Sequence, residues 1–533
     1  MPENGKFTVL VTDKIDPAGL EGLRTHPRVE LVMAVAPTPE KLESILPRAG
    51  AWLVRSETKI TGPLLEKAKA LRLIGRAGVG VDNIDVAGAS RRGIAVINAP
   101  AANTISACEQ TFALLLGLAR SLPGADADMK AGRWERSKHM GVELAGKTLG
   151  LVGLGRIGRE VAKRAQAFGM AIVAYDPFIS AEQARGLGVE LAELKDLLGK
   201  ADFVSLHIPG SPKTRHLLNA ESIAWMKKGA RLINCARGEL VDDAALAEAL
   251  KSGHLGGAAL DVFEKEPLPA DSPLIGAPRL ILTPHLGAST IEAQRKVAED
   301  LSTGVIEFFE RGLARHAINL PGFDADTLEA LGPTLDLADK LGRFLGQTLD
   351  SGLKAVRCQF QGDFKDRQRH PLSVAALKGV LSAILEQSLS FINAPILAKE
   401  RGIEFSDSAG PAPEGFTRLL TVTAVTDKGE QSVSGLVGPD GDLRIVRLDQ
   451  LFVDVSPKGK MLILTNNDRP GVIGRVGTLL GRHGVNIADM RVGRRSARGE
   501  AVMVITVDED IPPAVRGELA ALDGLTSTRW VVL

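Results

Sequence analysis

Charge of one sign, cysteine, aromatic rings and long apolar runs are all scarce in this chain, and each shortage closes off a class of function. Its 533 residues carry 65 Lys and Arg against 64 Asp and Glu, a formal net charge of +1. That balance argues against general nucleic-acid binding, which wants a strongly basic face. Cys108, Cys235 and Cys358 are widely spaced and odd in number. They offer neither a disulfide framework nor a zinc site, no metal is expected, and they suit a reducing cytoplasm. No apolar run reaches membrane-spanning length, and Met1 to Leu10 reads into a strand without a signal-peptide pattern. Aromatics make up 4% of the residues, so the core must be built mainly from Leu, Val, Ile and Ala. What is left, 44% hydrophobic and 24% charged, is an ordinary globular composition. The length corresponds to about three or four domains.

The strongest positive signal is Gly153-Leu154-Gly155-Arg156-Ile157-Gly158. An apolar stretch, Lys147 to Val152, precedes it, and a helix-patterned stretch, Arg156 to Phe168, follows. Asp176 comes after a second apolar run, Met170 to Tyr175. This is the dinucleotide-binding fingerprint in its proper strand–turn–helix context. Gly153 permits the tight turn, Gly155 lets the backbone approach a pyrophosphate, and Gly158 allows close helix–strand packing. The helix N-terminus offers free N–H groups to the phosphates. Asp176 is placed to accept from ribose hydroxyls and would repel a 2′-phosphate, so NAD is expected rather than NADP.

Strands and helix-patterned segments alternate on both sides of this motif, as in parallel α/β sheets. Before it, strands are expected at Phe7–Thr12, Val29–Val35, Ala51–Val54, Arg72–Gly75 and Ala95–Asn98, then a helix at Thr104–Arg120. From it onward they are expected at Leu149–Gly153, Ala171–Tyr175, Phe203–Leu206, Arg231–Asn234, Gly257–Leu260 and Leu280–Leu282, then a helix at Thr290–Arg311. Leu320-Pro321-Gly322 reads as a linker. Thr327 to Val455 is mixed, with helices expected at Leu335–Leu349 and Val374–Ile396 and strands near Arg418–Val425, Gln431–Val437 and Arg444–Leu448. After a second linker, Ser456–Gly459, Lys460 to Leu533 reads as βαββαβ, a ferredoxin-like order.

Three polar runs follow strands of the second alternation: Asn234-Cys235-Ala236-Arg237-Gly238, Asp261 to Pro267, and Thr283-Pro284-His285-Leu286-Gly287. Ligands of doubly wound sheets bind beyond the carboxyl ends of the strands, so all three should converge on the cofactor. Their chemistry suits oxidation of a hydroxyl to a carbonyl. His285 can take the proton, Glu266 can orient the imidazole, and Arg237 can hold a carboxylate at two points.

The runs Cys235 to Asp242, Asp261 to Pro267 and Pro284 to Thr290 resemble the signatures of the D-isomer-specific 2-hydroxyacid dehydrogenase family, over about Phe7 to Asn319. The resemblance implies that Arg237 binds the substrate carboxylate, that Glu266 supports His285, and that His285 is the acid/base. It implies an α/β architecture with an NAD-binding Rossmann domain, residues 101–287, inserted into a flavodoxin-like substrate domain, residues 1–100 and 288–319. Beside Gly153, Gly155, Gly158 and Asp176, it places cofactor contacts at Val79, Arg156, Ile157, His207, Ile208, Pro209, Cys235, Ala236, Asp261 and Gly287.

Basic groups beyond Arg237 point to a second anionic group on the substrate, such as a phosphate. Arg55, Arg76 and Arg136 match, residue by residue, the branch of the family that oxidises D-3-phosphoglycerate, where these positions surround the phosphate and the Arg136 position acts across a dimer. The same likeness adds Ser56, Gly78, Asn103 and Lys138 to the substrate contacts; Arg133 reads as surface charge. The tail, residues 459–533, is similar to ACT domains through Asn467-Asp468-Arg469-Pro470-Gly471 and His483 to Ile487. Residues 320–456 resemble the α+β intervening domain of long-form members, described as an allosteric substrate-binding domain. By this likeness Asn466, Asp468 and Asn486 would bind L-serine between paired ACT domains of a homotetramer, although Asn466 departs from the tyrosine or histidine often found there. The implied function is NAD-dependent oxidation of D-3-phosphoglycerate, the first step of L-serine synthesis. Two alternatives stay open: a glyoxylate or hydroxypyruvate reductase, which would lack the tail and the phosphate cations, and an NAD-sensing binding protein on the same fold, which can keep the triad.

Overall fold

The computed structural model describes residues 6–312, 314–320 and 325–533. The expected linker at Leu320-Pro321-Gly322 lies largely outside them.

The first sheet contains β1 (Phe7–Val11), β2 (Val29–Met33), β3 (Ala49–Val54), β4 (Leu73–Arg76) and β5 (Ala95–Asn98), all parallel, in the order β2-β1-β3-β4-β5. This is the flavodoxin-like order. Every residue of β1, β3 and β5 is buried, which is why these strands read as unbroken apolar runs. The Thr104–Ala119 helix then carries the chain to a second parallel sheet. Its strands are β6 (Thr148–Val152), β7 (Ala171–Tyr175), β8 (Glu190–Leu191), β9 (Phe203–Leu206), β10 (Arg231–Asn234), β11 (Gly257–Leu260) and β12 (Leu280–Leu282). Their order, β12-β11-β10-β9-β6-β7-β8, is the Rossmann arrangement with one further strand. Winding reverses between β6 and β9, so a crevice opens where the glycine turn leaves β6.

The chain then returns to its starting lobe. Val297, Leu301 and Val305 of the Ile291–Arg311 helix are buried in one core with Val9, Leu53 and Ile97. Asn319 completes the return: its Oδ1 accepts the Val96 N–H at 2.9 Å and its amide donates to the Ile94 carbonyl at 2.9 Å. The second sheet is thus enclosed in sequence by the two halves of the first lobe.

The tail holds two further sheets. β13 (Leu353–Gly362), β14 (Glu404–Gly410), β15 (Arg418–Thr426), β16 (Gly429–Val437), β17 (Leu443–Leu448) and β18 (Leu451–Val455) form one of order β14-β13-β15-β16-β17-β18, parallel only at β13–β14. β19 (Lys460–Asn467), β20 (Ile487–Arg494), β21 (Glu500–Val507) and β22 (Leu525–Val532) form an antiparallel sheet of order β20-β21-β19-β22. Leu462 and Leu464 pack on the Val472–Arg482 and Pro513–Ala520 helices. Met461 and Ile463 point the other way, into a core shared with Leu341 and Leu345 of the Ala325–Thr348 helix.

Two expectations are corrected. The single helix expected over Val374–Ile396 is two, Asp366–Ser382 and Ala394–Glu400. Between them Asn393 accepts from the Ser390 N–H at 2.8 Å and donates to the Ser388 carbonyl at 3.0 Å, local bonds that compete with the helical ladder. The helix expected at Leu335–Leu349 starts ten residues earlier and runs through Pro333. An interior proline costs about 3 kcal/mol; burial of Leu328, Leu331 and Leu337 along this helix offsets it. Among the described residues no helix is long and apolar enough to cross a membrane.

Candidate active site

The glycine turn has the shape a dinucleotide needs. Gly153 has φ +100°, and a Cβ there would meet the His207 carbonyl at 2.6 Å and Ile208 at 2.7 Å. A Cβ on Gly158 would stand 2.2 Å from the Gly153 carbonyl. At Gly155, the N-cap of the Arg156–Ala167 helix, a Cβ would meet nothing within 4 Å, so this face of the backbone is open to a ligand. Asp176 accepts the Leu154 N–H at 2.8 Å and the Phe178 N–H at 2.9 Å. A carboxylate has about four acceptor sites, so two remain for ribose hydroxyls. NAD fits this cradle. Arg156 reaches from the helix start to the Pro100 carbonyl at 3.4 Å, where the lobes meet.

The three polar runs come together beyond β10, β11 and β12. His285 Nδ1 lies 2.8 Å from Glu266 Oε2, and Glu266 Oε1 accepts the Phe263 N–H at 3.1 Å. The carboxylate accepts, so Nδ1 carries the proton and Nε2 is left as the base. Burial raises the Glu266 carboxyl, but the hydrogen bond and charge of His285, the Phe263 N–H and Arg237 outweigh it and hold the group below its ordinary range. Asn234, fully buried, shapes the Arg237 turn: its amide donates to the Arg237 carbonyl at 2.8 Å and its Oδ1 accepts the Ala236 N–H at 3.0 Å. A Cβ on Gly238 would stand 1.8 Å from the Phe263 backbone, so glycine is what lets the Arg237 and Glu266 loops touch. Arg237 faces the first lobe, where its Nε lies 3.5 Å from Asp82 Oδ2.

His285 has φ +55°. A left-handed conformation costs a residue with a side chain about 1–2 kcal/mol. The turn is held by Asp261, which is fully buried. Its carbonyl accepts the His285 N–H at 2.9 Å, and its carboxylate accepts the Leu286 and Gly287 N–H groups at 2.8 and 2.7 Å. The Asp261 carboxylate therefore serves the His285 turn as well as whatever it would offer a cofactor.

Arg55 and Arg76 stand at the ends of β3 and β4. Burial, then the charges of Arg237 and Arg55, pushes the Arg76 guanidinium down to about 10, against the opposing charges of Asp82 and Asp13. Its buried Nε has no hydrogen-bond partner among the described residues. Gly78, φ +145°, makes room for this side chain, since a Cβ would meet Arg76 Nη1 at 1.7 Å. Ser56 is exposed, and the buried Oδ1 of Asn103 at the start of the crossing helix is unpartnered. Asp13 and Asn83, unnoticed in the sequence, set this loop. Asp13 accepts the Arg55, Glu57 and Thr58 N–H groups at 2.6, 3.1 and 3.1 Å, and the Asn83 amide donates to the Arg55 and Thr58 carbonyls at 3.0 and 2.7 Å.

Other expected contacts are less exposed to a ligand. His207 bonds Ser205 at 2.9 Å, and burial pushes it down to about 4, so it is neutral at ordinary pH. Burial pushes the Cys235 thiol up to about 12. Val79, Ile157, Ile208 and Ala236 are half-buried around the crevice loops, and Pro209 is exposed. Arg136 is exposed on an arm between the lobes, and buried Asp128 pairs with both Lys138, at 2.8 Å, and Arg133, at 2.5 Å. None of their hydrogen bonds or ion pairs among the described residues reaches Arg55, Arg76 or Arg237.

The tail residues are not brought together within one chain. Asn467 pairs with Glu500 at one end of β21, and Ile487 pairs with Val507 at the other. Asp468 and Asn486 therefore sit about 23 Å apart along an eight-residue strand. Asp468 pairs with Arg494 at 2.9 Å and accepts the Arg498 N–H at 3.1 Å; Asn486 donates to Asp508 at 2.6 Å and its N–H to Glu509 at 2.7 Å. Asn466 is buried with Oδ1 unpartnered.

Comparison with known proteins covers nearly the whole length. Residues 112–287 match a family model described as the NAD binding domain of D-isomer specific 2-hydroxyacid dehydrogenases, residues 330–449 the D-3-phosphoglycerate dehydrogenase intervening domain, and residues 460–524 the ACT domain. A D-3-phosphoglycerate dehydrogenase of Synechocystis sp. is 42% identical over 98% of this chain and 94% of its own. One of Bacillus subtilis is 41% identical over 99% of this chain and 100% of its own. Among solved structures, D-lactate dehydrogenase of Aquifex aeolicus, complexed with NAD and lactic acid, is 32% identical with a TM-score of 0.51, covering 57% of this chain and 96% of that one.

Proposed function

Because the chain belongs to the D-3-phosphoglycerate dehydrogenase family of D-isomer specific 2-hydroxyacid dehydrogenases, we propose that it oxidises D-3-phosphoglycerate to 3-phosphooxypyruvate with NAD, the step that opens L-serine synthesis. One observation carries the choice of substrate. Arg76 is lowered first by its burial and then by repulsion from Arg237 and Arg55, and its buried Nε has no hydrogen-bond partner among the described residues. A ligand with a carboxylate at one end and a phosphate at the other relieves that repulsion.

NAD, when bound, supplies the acceptor for the hydrogen of the substrate's C2. The chain's own groups do the rest. Arg237 takes the substrate carboxylate and gives up Asp82. Arg55 and Arg76 take the phosphate. His285 Nε2 removes the hydroxyl proton, and Glu266 holds the resulting imidazolium through Nδ1–H. Approach of the two lobes excludes water from the crevice. With D-3-phosphoglycerate and NAD the purified protein should release NADH and a trappable 2-oxo acid, at a rate NADP does not support. Absence of NADH would reject the reading, and equal use of NADP would remove Asp176 from it.

The ACT domain supports regulation by a small molecule, and we take L-serine as that effector, bound between Asp468 of one chain and Asn486 of another. A homotetramer fits both this and the arm, where Trp134 and Met140 are 75% and 84% exposed. Light scattering at working concentration checks the assembly; a monomer would contradict it.

A further inference from the structure

We infer that Gln110 is a positioning residue for His285. It acts through Thr283 and Asp261, and ties the direction of the catalytic imidazole to the helix that joins the two lobes. The inference rests on His285 being the acid/base of the proposed reaction.

Gln110 lies on the Thr104–Ala119 helix, less than two turns after Asn103, where the chain leaves the first lobe. Its Nε2 donates to Thr283 Oγ1 at 3.2 Å and to Asp261 Oδ1 at 3.3 Å. The amide orientation is not free: an ionised carboxylate can only accept, so the nitrogen must face it. Thr283 Oγ1 in turn donates to Asp261 Oδ1 at 2.5 Å. A hydroxyl has one proton. By occupying a lone pair of Thr283, Gln110 keeps that proton aimed at Asp261, and hydrogen bonds in such a chain strengthen one another.

Both residues at the receiving end hold the histidine. The His285 N–H is shared between the Asp261 and Thr283 carbonyls at 2.9 and 3.0 Å, and the two N–H groups after it bind the Asp261 carboxylate. The backbone at His285 is in the left-handed region, so the turn stays only while these bonds over-determine it. Without Gln110, Asp261 still has three donors, so the fold survives, but the Thr283 hydroxyl is free to rotate and the turn loses its link to the crossing helix. Gln110 touches no reacting atom. What it governs is whether Nε2 points along the path of the substrate proton, and small errors in such geometry are costly.

The test uses the full-length chain and compares wild type with Gln110→Leu, Thr283→Val and the double variant. Single-turnover NADH formation from D-3-phosphoglycerate should fall about tenfold in each single variant, while the NAD dissociation constant stays within about twofold. The solvent deuterium isotope effect should rise, because proton transfer becomes limiting. The double variant should lose little more than either single one, as members of one network do. Unchanged turnover and isotope effect in Gln110→Leu would overturn the inference. So would a loss matched by an equal loss of NAD affinity, or strictly additive losses. Should Gln110→Leu fail to fold, Thr283→Val alone decides by the same readouts. A wild type that does not oxidise D-3-phosphoglycerate, or a fully active His285→Ala, rejects the functional reading instead and is told apart on that ground.

Discussion

The crevice between the two parallel sheets and the ends of the ACT sheet carry the same kinds of residue, carboxylates, amides and arginines, and use them in opposite ways. In the crevice, supporting groups are saturated and working groups are left open. Asp13, Asn83, Asn234 and Asp261 spend themselves on backbone N–H and carbonyl groups, while Arg76 Nε and Asn103 Oδ1 are buried without a partner. At the ACT sheet two of the three expected effector residues are themselves engaged, Asp468 by Arg494 and Asn486 by Asp508, and these two stand at opposite ends of β21, while Asn466 keeps a buried, unpartnered Oδ1. The first region brings Arg237, Glu266, His285, Arg55 and Arg76 together within one chain. The proposed effector site needs another chain to bring the missing end.

That contrast can be broken most sharply at His285. His285→Ala should lower turnover by about two to four orders of magnitude, with NAD binding retained in a fluorescence titration; a modest loss would mean that the crevice is not the seat of the chemistry. Next in size, Arg55→Ala should lower kcat/KM for D-3-phosphoglycerate by about ten- to a hundredfold, the worth of a charge-assisted bond, and leave the slow use of unphosphorylated D-glycerate unchanged. If both substrates suffer alike, Arg55 supports the fold rather than the phosphate. On the other side of the comparison, Asn486→Ala should leave turnover without effector within about twofold, because the residue is remote from the crevice. It should weaken L-serine inhibition by about tenfold, one lost bond to a charged ligand. An unaltered inhibition curve would remove Asn486 from the effector site.

The smallest effect separates catalytic from merely crowded carboxylates. Burial, helped by Glu264 and Asp242 and opposed by His216, raises Asp243 to about 6 from 3.8. Its folded pKa is above the unfolded one, so the native state holds this proton more tightly. The stability this provides is full below about pH 4 and is lost as pH rises through about 6. Above that, Asp243→Asn should raise the melting temperature by about 1–3 °C once solvent screening is allowed for, without altering turnover. A lowered melting temperature would show that the ionised form is stabilising.

Legibility in the sequence followed the same divide. β5, β7 and β9 to β12 lie at the bounds their apolar runs indicate: β5, β9 and β11 are buried throughout and β7 and β10 for the most part, while β12, half-buried at the sheet edge, is marked by the run Leu280-Ile281-Leu282. β14, Glu404 to Gly410, went unread: it is an edge strand, largely exposed, with only Phe405 of its residues large and apolar. β13 carries its signal in alternation, Val356, Cys358 and Phe360 inward with Arg357 and Gln359 outward, inside a stretch too mixed to stand out. The Arg237, Glu266 and His285 loops were readable because each follows a strand of one sheet. Asp13 was not, since its partners at Arg55 to Thr58 are more than forty residues away and are backbone N–H groups that any residue could supply. The pairing of Lys138 with buried Asp128, ten residues before it, carries no signal of its own in the sequence.

The cations of this crevice suit a phosphorylated 2-hydroxy acid. The ratio of kcat/KM for D-3-phosphoglycerate to that for D-glycerate, measured with NAD on the full chain and on an Arg55→Ala/Arg76→Leu double variant, tests it most directly. The wild-type ratio should be at least about a hundred, the worth of two charge-assisted contacts, and should collapse towards one in the double variant. A wild-type ratio near one, or a ratio the two substitutions leave intact, would contradict it.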